Sequence, residues 1–117
     1  MDSILILTKK LLGIEEDYTH FDSDIIVHIN SAFMSLNQLG VGPAEGFLIK
    51  DKNALWSDYL GVDSKKLEGV KTYIYSKVRL IFDPPSASSV LEAMERQIQE
   101  LEWRLNIETE GAGGSAE

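Results

Sequence analysis

The stretch Ser64–Pro85, SKKLEGVKTYIYSKVRLIFDPP, decides the fold. Leu67, Val70, Ile74, Val78 and Ile81 recur at three- and four-residue spacing, which is the period of one helix face. Tyr73 and Leu80 widen that stripe on one side; Tyr75 and Phe82 widen it on the other. Glu68, Thr72, Ser76 and Arg79 are left on a narrow polar face. At 100° per residue the apolar arc approaches ~220°, about twice the width of a one-sided surface helix. Such a helix is expected at the centre of the molecule, covered on two or three sides. Ser64 or Asp63 can cap its start. Asp83-Pro84-Pro85 ends it, because the residue before proline avoids the helical region and proline breaks the hydrogen-bond ladder.

Downstream of the prolines a second helix is expected from Ser86–Ser89 onward, with Ser89-Val90-Leu91-Glu92 matching a capping box. Leu91, Met94, Ile98, Leu101 and Leu105 form a narrow seam that packs on the central helix. Glu92/Arg96 and Glu100/Arg104 are i,i+4 pairs in the favourable order, about 0.2–0.5 kcal/mol each. Trp103 lies two residues from both Leu101 and Leu105, and therefore off the seam. After Asn106 the composition turns to Glu and then Gly-Ala-Gly-Gly-Ser-Ala-Glu, read as a flexible acidic, Gly-rich tail over residues 107–117.

Upstream, Phe21-Asp22-Ser23-Asp24 opens a helix. The polar residues supply the N-cap acceptor, and Phe21 acts as a staple. Its stripe is Ile25, Ile26, Ile29, Ala32, Phe33, Leu36 and Leu39, and Gly40 ends it. The first helix covers about Asp2–Gly13, with a stripe of Ile4, Leu7, Leu11 and Ile14. Alternation over Ser3–Leu7 also permits a strand. Between Gly40 and Gly61 the turn chemistry of Gly42-Pro43, Glu45-Gly46 and Asp51-Lys52-Asn53 interrupts two short runs. Phe47-Leu48-Ile49 is β-prone, and Leu55–Leu60 is a strand or one helical turn. The fold class is all-α: a small four-helix bundle, residues 1–106, with an inserted loop or short β-hairpin between its second and third helices and a flexible C-terminal tail.

Composition narrows the function. The 117 residues make one domain with a net charge of −8 and no cysteine. That charge disfavours phosphate-backbone binding. The apolar start, Ile4–Leu7, is too short to span a membrane, so the expected protein is soluble, without membrane contact. His20 and His28 lack metal-ligand spacing. Glu15, Glu16, Asp17, Asp22 and Asp24 are accounted for by capping and solvation. Gly40-Val41-Gly42-Pro43 lacks a third glycine and a preceding strand. No serine stands in a nucleophile setting. No catalytic, cofactor or metal residues are assigned, and an enzyme is not expected.

Surplus apolar surface stands out instead. Leu5 and Leu12, and Val27 and Met34, are seven-residue pairs off the main stripes. Trp103 is flanked by Arg96 and Arg104, the residue types that anchor interfaces. These seven residues are the candidate partner interface, unless a compact bundle hides the apolar ones.

The order of these segments, and above all Tyr73-Ile74-Tyr75-Ser76-Lys77-Val78-Arg79-Leu80-Ile81-Phe82-Asp83-Pro84-Pro85 followed by a helix with Glu102-Trp103-Arg104-Leu105, resembles the head–tail connector (head-completion, adaptor) proteins of tailed bacteriophages. The resemblance covers about residues 1–106. It implies a virion structural protein, assembled in the bacterial host cytoplasm, that docks on the portal protein. There it would form a ring of about twelve copies of itself, a heterologous interface that closes. The ring extends the DNA channel without binding DNA specifically, and offers a platform for stopper or tail-side connector proteins. By the same resemblance the loop at about Gly42–Asp58, with Phe47, Ile49, Lys50, Lys52 and Trp56, faces the channel or the next ring, and the C-terminal segment reaches the portal. The alternative is a cytosolic helical interaction or regulatory module without catalytic activity.

Overall fold

A computed structural model of the chain describes residues 3–61 and 65–116. Five helices follow one another: α1 (Ile4–Leu11), α2 (Asp22–Gln38), α3 (Trp56–Tyr59), α4 (Lys65–Phe82) and α5 (Ser88–Ala116). Among the described residues there is no sheet; one isolated antiparallel bridge joins Ser3 to Leu55. The expected caps Asp63 and Ser64 lie outside the described residues, as do Asp2 and Glu117.

α4 is the central element, packed against α1, α2 and α5. Leu67, Val70, Tyr73, Ile74 and Val78 are fully buried. They meet Ile25, Ile29, Phe33 and Leu36 of α2 in one core, to which α5 contributes Ile98 and Leu105. Two details depart from the expected stripe. Ser76, placed on the polar face, is buried, because helices on three sides leave α4 a narrower free face and a small hydroxyl residue fits there. Ile81 is exposed, because the last turn packs through Phe82, whose ring lies edge-on to Phe21 at 5.2 Å.

α1 and α2 both end in the same chemistry. Gly13 and Gly40 each take φ of 82°. The following amides, Ile14 N–H and Val41 N–H, reach back to the carbonyls of Lys9 and Leu36 at 2.9 Å. That is the Schellman arrangement, which requires the left-handed conformation glycine adopts without strain. The start of α2 differs from expectation. Asp22 is already helical, and its carboxylate holds Lys9 Nζ at 2.9 Å instead of capping.

The buried face of α1 is rotated from the expected one. Ile4, Leu5, Thr8 and Lys9 are buried, whereas Leu11 is exposed. Lys9 accounts for the shift. Its stem lies in the core and its ammonium donates to the carbonyls of Glu16 (3.0 Å) and Tyr18 (2.7 Å) besides pairing with Asp22. A buried cation is tolerated only when so surrounded. Here it ties α1, the connecting loop and the start of α2 together.

The segment between α2 and α4 is a loop with one helical turn, α3, rather than a hairpin. Asn30 of α2 donates Nδ2–H to the Ile49 carbonyl (3.0 Å) and accepts the Ile49 N–H on Oδ1 (2.8 Å). Those are the backbone groups a partner strand would have used. At the far end, α5 continues as helix to Ala116, past Asn106, where the sequence suggested that a flexible tail begins. No proline interrupts the backbone ladder there, although each glycine costs the helix about 1 kcal/mol relative to alanine.

Candidate interaction surface

The insert is fastened to α2 at two points. Besides the Asn30–Ile49 pair, Asn37 Nδ2 donates to the carbonyls of Pro43 (3.1 Å) and Ala44 (3.4 Å). Asn30 and Asn37 are seven residues apart, two turns of one helix face. Between them stands Met34, 61% exposed. Beneath the insert, Phe47 lies against Phe33 (5.1 Å) and Tyr59 (5.2 Å), and Ile49, Trp56 and Tyr59 fill the core. Gly42 lets the chain cross over Tyr59. Its φ is +86°, and a Cβ there would come within 2.5 Å of the tyrosine ring. The result is a groove of about 500 Å³ lined by the apolar Met34, Phe47 and Leu48 and by Asn37, Gln38 and Glu45.

The C-terminal half of α5 is held just as firmly on its inner side. Tyr73 OH donates to Glu102 Oε2 at 2.7 Å, and Asn106 Nδ2 donates to the Leu39 carbonyl at 3.2 Å. Burial, reinforced by the Glu102 carboxylate, pushes the Tyr73 phenol above its ordinary pKa; burial alone does the same to Tyr59. On the outer side Trp103 is 65% exposed and Ile107, one turn on, is also exposed. Arg104 pairs with Glu100 at 2.6 Å. The expected Glu92–Arg96 pair does not form, and Arg96 is exposed without an ion-pair partner among the described residues.

Several sequence assignments are therefore corrected. Leu5 is 2% exposed and belongs to the core; Leu12 is half-buried against it. Ile49 and Trp56, expected to face a channel or another ring, are buried, because the insert folds its apolar side onto α2. Lys50 and Lys52 stay on the outside. Val27, Met34 and Trp103 are exposed. The structure brings Met34 and Phe47 together in the groove, and it adds Leu48, which sequence reasoning passed over. Among the described residues no cluster of His, Asp or Glu suits a metal ion, and no helix is long and apolar enough to cross a membrane.

A model of the phage connector protein family matches residues 4–112. The chain belongs to the phage connector protein family. The match spans α1, the insert and most of α5, so groove and Trp103 ridge both fall within the region that defines this connector. The family is one of structural proteins of the phage particle, not of catalysts. No curated protein and no solved structure matches the connector.

Proposed function

We propose that this connector docks on the portal vertex of the phage head and joins head to tail. In this reading copies of the chain close into a ring of about twelve, each using two different faces. The ring extends the DNA channel and presents a platform to stopper or tail-side proteins. Residues 1–106 act as the ring-forming body, and residues 107–117 form a segment that reaches toward the portal. Lys50 and Lys52, on the outside of the insert, face the channel or the next ring. Assembly takes place in the host cytoplasm, and the finished protein resides at the head–tail interface of the virion.

The family match over residues 4–112 carries this reading. Two further observations support it. Apolar side chains stand exposed on two separate helices, Val27 and Met34 on α2 and Trp103 with Ile107 one turn on along α5, and exposed apolar groups that adjoin one another mark contact sites. The net charge of −8 lets a polyanion pass without adhering. The test is sedimentation of the purified protein with DNA-filled heads that carry a portal. Co-migration with those heads, and none with portal-less shells, is expected. Failure to co-migrate at saturating protein would sink the proposal.

A further inference from the structure

We infer that the groove between α2 and the insert is the seat for Trp103 of a second copy of this chain. The inference rests on the reading that copies meet head to tail in a ring, and it names the contact. The seat is pre-formed, because Asn30 and Asn37 hold the insert backbone at fixed positions along α2. A pre-organised site avoids the ordering cost of a mobile loop. Its lining offers apolar Met34, Phe47 and Leu48 together with the side-chain oxygens of Asn37, Gln38 and Glu45. An indole wants that combination: a large apolar face and one N–H donor.

The ridge on α5 is its counterpart. Trp103 and Ile107, one turn apart, both project outward. Arg96 lies seven residues before Trp103, on the same face and ~10 Å along the helix. Charge selects a second copy as the occupant. Neither Glu45 nor Arg96 has an ion-pair partner among the described residues. In a chain with 19 acidic and 11 basic residues, two copies repel unless their cations are placed against carboxylates. The unpaired Arg96 of the ridge set against the unpaired Glu45 of the groove satisfies that condition. Groove and ridge are different surfaces of one chain, so the contact is heterologous and propagates from copy to copy.

The chain has no cysteine, so single engineered thiols report contacts cleanly. Leu48→Cys marks the groove and Ile107→Cys the ridge. With a short bismaleimide, free in solution at high concentration and again on portal-bearing heads, the mixture of the two variants is expected to give a linked dimer. Neither variant alone should. Trp103→Ala should weaken self-association at least ~30-fold with helical content and Tm unchanged. Glu45→Arg should weaken it about tenfold, and Arg96→Glu in the partner copy should restore it.

Linking of either variant with itself would indicate a two-fold contact and overturn the proposal. So would no linking in the mixture under both conditions. If Leu48→Cys links only to a head protein while the connector still co-migrates with heads, the groove takes another partner: this inference fails and the connector reading stands. If the mixed link forms but the protein never joins heads, the connector reading fails and this contact stands.

Discussion

Trp56 and Trp103 are the two tryptophans of the chain, and they have opposite fates. Trp56, in the insert, is 1% exposed and lies among Phe33 and the other aromatic rings under the loop. Trp103, in the longest helix, is the most exposed of the large apolar side chains among the described residues. The irregular segment is thus part of the core, and the regular helix carries the unpartnered surface. Regularity of secondary structure and depth of burial are separate properties. A helix fixes which residues share a face, whereas a loop can turn any side chain inward if its backbone is satisfied. Here the asparagines of α2 provide that satisfaction for the insert.

The strongest way to break this comparison is Trp56→Ala. A fully buried tryptophan lost to a cavity should cost about 3–5 kcal/mol, read as a lower urea midpoint. A variant as stable as the parent would remove the insert from the core. Next comes Lys9→Met, which leaves the Glu16 and Tyr18 carbonyls and Asp22 without their donor. With Asp22 partly open to solvent, a loss of about 2 kcal/mol is expected, and Asp22→Asn in the same chain should recover part of it. A smaller effect belongs to Tyr73→Phe, about 1 kcal/mol at neutral pH from the lost bond to Glu102.

The same tyrosine gives a pH signature. Tyr59 and Tyr73 hold their protons in the folded state above the ordinary value near 10. Their contribution is complete below that value, where both states are protonated. It is lost as pH rises further, because the unfolded chain releases protons that the folded one retains. Urea midpoints should therefore fall progressively as pH rises above about 10, and less steeply in Tyr73→Phe. The smallest effect is expected at the exposed pole of the comparison: Trp103→Ala should change stability by less than about 0.5 kcal/mol. A large loss would mean that Trp103 packs inside the subunit, and the contrast between the tryptophans would collapse.

Much of the helical frame could be read from residue order. The stops at Gly13, Gly40 and Asp83-Pro84-Pro85, the stripe of α2 and the outward position of Trp103 all follow from local rules of period and capping. The misreadings arise where local pattern meets tertiary contact. On α1, Leu7 and Leu11 make as regular a stripe as the one that holds Leu5, and Lys9 merely interrupts the apolar sequence. Only contact with the 14–21 loop and Asp22 shows that a lysine can close the core there. By the family resemblance alone Ile49 and Trp56 would face outward, and a loop has no period that would reveal its inner side. The groove was invisible for the same reason: its walls come from segments about ten residues apart, joined by asparagine side chains.

What residue order determined by itself is an all-helical chain with a central, multiply covered helix and an exposed tryptophan beyond its proline turn, since period and backbone chemistry act within a few residues. What only the tertiary structure decided is which face of α1 is buried, that the insert is core rather than a projecting loop, and that Met34, Phe47 and Leu48 share a groove. Those outcomes depend on where distant carbonyls, amides and carboxylates come to rest, and no local pattern encodes that meeting.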